Sequence, residues 1–126
     1  AAAVKLSPKD RAKWRKLTWL AADRTAMLGS LWAQQALLEN DRAAAARWFE
    51  QVAAADLKST AMLDTVGSGF LRLRQYPRAA EAFQRALALD REDHLAWLGL
   101  ARAQAGQGQH EAAVNAALTS VELVYQ

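Results

Sequence analysis

The sequence predicts an all-α fold of about seven helices built as a helical repeat, and three observations lead to that prediction. Ala, Leu, Gln, Arg and Glu dominate the 126 residues, and these residue types favour helix. The β-branched residues are scattered and never alternate with polar ones, so no strand is expected. A pattern of small, aromatic and aliphatic residues also recurs at a fixed period along most of the chain.

The repeat is clearest where Ala79, Phe83, Ala86 and Leu87 form one helix face, at spacings of four, three and one. A shift of 34 residues in either direction brings equivalent faces into register. Those faces consist of Ala45, Phe49, Val52 and Ala53 on one side, and of Ala113, Ala117, Ser120 and Val121 on the other. The period defines three units within a single domain, residues 26–59, 60–93 and 94–126.

Each unit is predicted to hold two helices joined by a turn. In the middle unit the turn covers residues 74–77, and Pro77 suits the first turn of the second helix, where its missing N–H costs nothing. The turn of the third unit, residues 106–109, contains two glycines, which adopt a positive φ readily. In the first unit, Asn40 or Asp41 is a plausible helix cap.

These repeated residues resemble the tetratricopeptide repeat family, whose period is also 34 residues. The resemblance covers about four-fifths of the chain and implies a right-handed α–α superhelical array, an α-solenoid. The sequence departs from the family pattern at Leu57 and Arg91, where proline usually ends the second helix, at Arg74, a usual glycine, and at Ala117, a usual aromatic. The matching residues are Trp32, Ala33, Ala36, Ala45, Phe49, Gly67, Phe70, Tyr76, Ala79, Phe83, Ala86, Leu87, Trp97, Leu100, Ala101, Gly108 and Ala113.

Residues 7–23 are predicted to form one further helix before the first unit. Ser7, Pro8 and Asp10 provide a hydroxyl cap, a proline at the first position and an acid in the first turn. This helix is either a degenerate half-repeat or a capping helix. Residues 1–6 are expected to be a disordered or processed end.

Positive charge is concentrated at the start of the chain. Residues 1–24 carry seven basic and two acidic side chains, a balance of +5, whereas the whole chain carries +3. Lys9, Lys13 and Lys16 share a helix face beside Trp14 and Trp19, so a peripheral adaptor on a membrane surface or a nucleic acid is one alternative. A solvated outer face is the favoured interpretation, and neither a nucleic-acid partner nor a membrane span is expected.

The sequence contains no motif that indicates catalysis, phosphate binding or metal binding. The segment Gly67-Ser68-Gly69 falls inside a predicted helix, whereas a phosphate loop should follow a strand and open a helix, so close helix packing is the better explanation. Neither His94 nor His110 has a second ligand at metal-binding spacing. We therefore expect no catalytic residue, no metal site and no cofactor, and we expect that the protein is not an enzyme.

The resemblance implies a scaffold for protein–protein interaction, in which the first helix of each unit lines a concave groove that binds a peptide or helix of a partner protein. Arginines in the groove suit a carboxylate, and its aliphatic residues suit an apolar segment. The partner-binding positions that follow from the resemblance are Met27, Ser30, Leu31, Gln34, Asp64, Ser68, Leu71, Arg72, Leu95, Leu98 and Arg102. The alternative is an accessory repeat domain of a larger enzyme, of the transferase or phosphodiesterase type.

The last predicted helix carries apolar residues that no later helix covers, including Val114, Leu118 and Val121. Repeat arrays need a polar cap at their ends. We therefore expect that the native chain continues past Gln126 or that this helix associates with another copy. Residue usage suggests a bacterial protein, and a soluble protein of the cytoplasm or the periplasm is equally compatible with the absence of cysteine.

Overall fold

The computed structural model describes the backbone of residues 6–17 and 22–126 and the side chains of residues 6–14 and 24–126. This part of the chain forms helices and turns and contains no strand, which confirms the all-α prediction. The predictions for residues 1–5, Lys16 and Trp19 lie outside the described residues. The seven helices are α1 (Pro8–Leu17), α2 (Ala22–Leu38), α3 (Arg42–Ala53), α4 (Thr60–Arg72), α5 (Tyr76–Leu89), α6 (His94–Gly106) and α7 (His110–Val124).

The predicted and observed helix bounds differ most at the first helix. Helix α2 begins at Ala22, so Ala22 and Asp23, which the sequence assigned to the preceding helix, belong to the next one. The described part of helix α1 ends at Leu17. Positions 24 and 25 hold no helix-breaking residue, and Ala, Arg and Thr extend a helix at little cost. The periodic core positions alone therefore did not mark where α2 starts.

The chain divides into two compact units, residues 1–58 and residues 59–126. In the first unit, α2 packs on α3 and α1 contacts α2. In the second unit, α4 packs on α5, α6 packs on both α5 and α7, and α4 also contacts α6. Helices α4 and α6 are therefore neighbours, and any surface that they share belongs to one unit.

The turns between the paired helices repeat one backbone geometry. Asn40, Arg74 and Gly108 follow one another at the 34-residue period, and they have positive φ angles of 63°, 59° and 79°. After each of them, the next residue donates its N–H to a carbonyl five residues back, as Gln75 does to Phe70 at 2.9 Å. This is the Schellman ending of a helix, in which a left-handed residue lets the chain turn while the last carbonyls stay satisfied.

The core of the second unit is arranged around Phe83, which is 2% exposed. A Cβ atom added to Gly67 would lie 2.7 Å from Cζ of Phe83, and the same ring leaves no room for a Cβ atom on Gly99. Gly67 thus lies inside α4 and lets α5 approach, as the sequence indicated. No strand precedes the Gly67-Ser68-Gly69 segment within the described residues, so the requirements of a phosphate loop are not met.

The core of the first unit is a cluster of indole rings. Trp48 is 2% exposed, and its ring centroid lies 5.1 Å from that of Trp32 and 6.2 Å from that of Trp14. Both pairs are tilted, a geometry in which the positive edge of one ring meets the negative face of another. A Cβ atom added to Gly29 would lie 2.8 Å from Val52, so α2 and α3 also approach each other closely.

Candidate partner-binding surface

Helices α4 and α6 of the second unit contact each other, and their exposed residues include five of the eleven binding positions expected from the sequence. On α6, Leu95 is 56% exposed and Leu98 is 37% exposed, and Arg102 follows one turn later. On α4, Ser68 and Arg72 are exposed one turn apart. Spacings of three and four residues put such side chains on one side of each helix. We call this set the α4–α6 face.

The charge of the α4–α6 face is positive. The exposed positions of the two helices carry Arg72 and Arg102 but no aspartate or glutamate. The one carboxyl group within these helices belongs to Asp64, which is half-buried. Leu71 is also half-buried, next to Arg72 in sequence. The face therefore combines aliphatic surface with guanidinium groups that bind carboxylates through two parallel hydrogen bonds.

Asp64 faces the carboxyl group of Asp93, a partner that sequence reasoning did not identify. Asp93 caps α6, since its Oδ1 accepts a hydrogen bond from the N–H of Ala96 at 3.3 Å. Oδ1 of Asp64 and Oδ2 of Asp93 are buried, and no backbone or side-chain donor among the described residues satisfies either oxygen. Asp93 is 29 residues from Asp64 in the chain, so no local pattern connects the two residues. The one signal in the sequence was the position of Asp93 before a helix, where aspartate is a preferred cap.

Burial, together with a hydrogen bond to Asp93 and repulsion from its charge, raises the pKa of Asp64 from 3.8 to about 8. Two carboxylates at close range cannot both ionise without mutual repulsion, so one of them keeps a proton. At neutral pH, Asp64 is therefore protonated and donates its O–H to Asp93. It contributes no negative charge to the α4–α6 face.

The positions expected from the first unit are divided between exposed and buried sites. Met27 is 49% exposed and Leu31 is 52% exposed, one turn apart on α2, and Gln34 is half-buried. Ser30 is 2% exposed, and its hydroxyl donates a hydrogen bond to the carbonyl oxygen of Met27 at 2.8 Å. Ser30 thus offers almost no surface to a partner, because a serine on a helix satisfies its hydroxyl within the preceding turn.

The described residues contain no group of three side chains able to hold a metal ion together. His94 and His110 are both exposed. None of the helices in the described ranges combines the length and the hydrophobicity needed to cross a bilayer. On α1, Lys9 and Arg11 are exposed, whereas the ammonium group of Lys13 lies 5.2 Å from the ring centroid of Trp32.

Helix pairs that recur at a 34-residue period, with the same left-handed turn residue between the helices of each pair, define a helical-repeat protein. Residues 67–122 match the family model of the tetratricopeptide repeat, which supports the resemblance seen in the sequence. The match includes the C-terminal part of α4, all of α5 and α6, and most of α7. No curated protein matches the chain. Tetratricopeptide repeats are in general modules for protein interaction.

Proposed function

We propose that the protein is a non-catalytic scaffold that binds an acidic, partly apolar peptide or helix of a partner protein on the α4–α6 face. The observation that carries the proposal is the exposure of Leu95 and Leu98 beside two arginines, on neighbouring helices of one unit. Exposure of aliphatic side chains to water costs free energy, and a partner that covers them removes that cost.

The expected partner follows from the chemistry of the face. A partner helix or extended segment would place apolar side chains on Leu95 and Leu98 and a carboxylate within reach of Arg72 or Arg102. The protonated state of Asp64 favours this choice, since an ionised Asp64 would repel the same carboxylate. Arginine is also enriched at the energetic centre of protein interfaces.

The first unit supplies a second stretch of the same character. Met27 and Leu31 are apolar and half-exposed on α2, and Gln34 adds a hydrogen-bonding group. We include these residues in the proposed binding set as a separate stretch of the first unit. This extension predicts that substitutions on α2 weaken binding less than those on the α4–α6 face, because α2 offers no arginine at an equivalent position.

The experiment compares the wild type with Arg72→Glu/Arg102→Glu. A partner is captured from lysate of the source organism and purified, and its dissociation constant is measured for each variant. We expect at least a tenfold weakening, because two charge-assisted contacts become repulsive, and we expect a smaller effect at high salt. Arg42→Glu/Lys58→Glu is the control, since it makes the same change in net charge at exposed positions of the first unit.

Equal weakening by both double variants would show that only net charge matters, and it would refute the proposed surface. Unchanged binding of the Arg72→Glu/Arg102→Glu variant would refute it as well. A further distinction comes from Leu98→Ser, which leaves every charge in place. If the aliphatic part of the face contributes, this variant weakens binding at all salt concentrations.

A separate observation favours self-association through α7. Val114, Leu118 and Val121 follow one another at spacings of four and three residues, and each is more than half exposed. Tyr125, one further turn along, is 83% exposed. A continuous apolar stripe of this kind is typical of an interface, and a second copy of the same helix is the occupant that we propose.

A further inference from the structure

A cavity of about 290 Å³ lies in the first unit, far in sequence from the α4–α6 face. It is lined by the start of α1, the C-terminal half of α2 and the start of α3. The rings of Trp32 and Trp48 contribute to its walls. The volume falls at the lower limit of ligand pockets in proteins, which suits a small metabolite.

The residues that line this cavity include one ion pair. Asp10 is only 6% exposed, and its Oδ2 lies 3.7 Å from Nε of Arg47, which is beyond the usual hydrogen-bonding distance. The Nε atom of Arg47 is buried and has no hydrogen-bond partner among the described residues. A buried donor without an acceptor costs free energy, and Arg47 is one of the residues that line the cavity, so a ligand acceptor that reached this N–H group would satisfy it.

The rest of the lining carries both signs of charge. Lys9 and Lys13 belong to α1, and Glu39 and Asp41 belong to the turn between α2 and α3. Local hydrogen bonds hold the two acids in place, because Glu39 accepts from Gln35 at 3.1 Å and Asp41 caps the first turn of α3. Within the lining, the Asp10 and Arg47 pair is the sole salt bridge among residues that the structure describes.

The balance of charges identifies the class of ligand. A simple anion at the Nε atom of Arg47 would lie against the buried carboxylate of Asp10. A simple cation at Asp10 would lie against Arg47 and Lys13. A zwitterion avoids both conflicts, because it brings a carboxylate to the arginine and an ammonium group to the aspartate at once, and it matches a lining whose three basic and three acidic groups cancel.

We propose that this cavity binds a free α-amino acid. Its carboxylate accepts the Nε–H of Arg47, its ammonium group donates to the carboxylate of Asp10, and its side chain extends toward Trp32. The ammonium group of Lys13 lies over that ring, so a bound side chain displaces the lysine toward solvent. None of the residues that line the cavity belongs to the set proposed for binding partner proteins.

The test is a titration of the ¹⁵N-labelled protein with each protein amino acid, followed at the side-chain Nε–H resonance of Arg47. Concentrations up to about 10 mM detect dissociation constants of about 1 mM or lower. We expect at least one amino acid to shift this resonance saturably. Its N-acetyl derivative, which lacks the ammonium group, and its carboxamide, which lacks the carboxylate, should bind at least tenfold more weakly.

Calorimetry of variants provides an independent measurement with the same amino acid. Arg47→Lys and Asp10→Asn preserve the size of the side chains and should each weaken binding at least tenfold, whereas Arg24→Lys, at an exposed position outside the cavity, should not. Absence of a saturable shift for every amino acid would overturn the proposal. An equal shift with acetate or with the N-acetyl derivative would also overturn it, since this result shows anion binding alone. The comparison of ligands uses only the wild type, so it stands even if a variant unfolds.

Discussion

Replacing Asp64 with asparagine should make the stability of the protein less dependent on pH. The folded state holds a proton on Asp64 up to about pH 8, whereas the unfolded state releases it near 3.8. The folded state therefore binds more protons between these values, and the free energy of unfolding falls as the pH rises. The contribution of the pair is fully present below pH 3.8 and is lost as the pH approaches 8. Asparagine still donates a hydrogen bond to Asp93 but releases no proton.

The magnitude follows from the proton affinity and from burial. A tenfold change in proton affinity is worth about 1.4 kcal/mol. Because Asp64 is half-buried, solvent screens much of the full shift, and we expect about 1–2 kcal/mol between pH 5 and pH 8. Asp64→Asn should therefore match the wild type near pH 5 and exceed its stability by about that amount at pH 8.

The assay is urea unfolding followed by circular dichroism over a series of pH values. Asp56→Asn is the matched control, because the Asp56 side chain is 84% exposed and its ion pair with the exposed Lys58, at 3.2 Å, lies in solvent. Its pH profile should parallel that of the wild type. A carbon NMR titration of the Asp64 carboxyl group measures the cause directly. Titration near pH 4, or an Asp64→Asn profile parallel to that of the wild type, would refute the reasoning.

Two further predictions concern the repeat itself. Arg74→Gly should stabilise the protein by about 0.5–1 kcal/mol in urea unfolding, because Arg74 has a φ of 59° and glycine adopts that conformation without a steric penalty; unchanged or lower stability would contradict this account of the turn. Leu118→Glu/Val121→Glu should abolish the concentration-dependent self-association expected of the wild type in analytical ultracentrifugation, since it places charge in the middle of an apolar stripe. A wild type that stays monomeric at every concentration would exclude this interface.

Much of the fold could be predicted from sequence because its signals are local and periodic. Helix-forming residues cover the chain, and the period of 34 places Asn40, Arg74 and Gly108 at equivalent turns. Arginine at the second turn weakened that pattern without breaking it, because the surrounding helix pair imposes the left-handed conformation. The start of α2 was not predictable, since no cap or breaker marks it.

The sequence predicted which helices carry the binding positions, but it did not predict which of those residues are exposed. The period assigned Ser30 and Leu31 to the same surface, yet one is buried and the other is half-exposed. Adjacent residues of a helix point about 100° apart, so an error of one position in the register exchanges surface for interior. The period was least clear in the first unit, where the family model also finds no match.

Apart from the start of α2, the sequence by itself determined the helices, their pairing and the residues at which the paired helices turn, because each of these depends on residues close together in the chain. The tertiary structure decided which charged side chains lie close together. It brings Asp64 to Asp93, and Asp10 to Arg47, from helices that are separate in sequence. The charge state of a carboxyl group depends on burial and on neighbours within a few ångströms. That information is absent from a one-dimensional pattern, since it arises only when the helices pack.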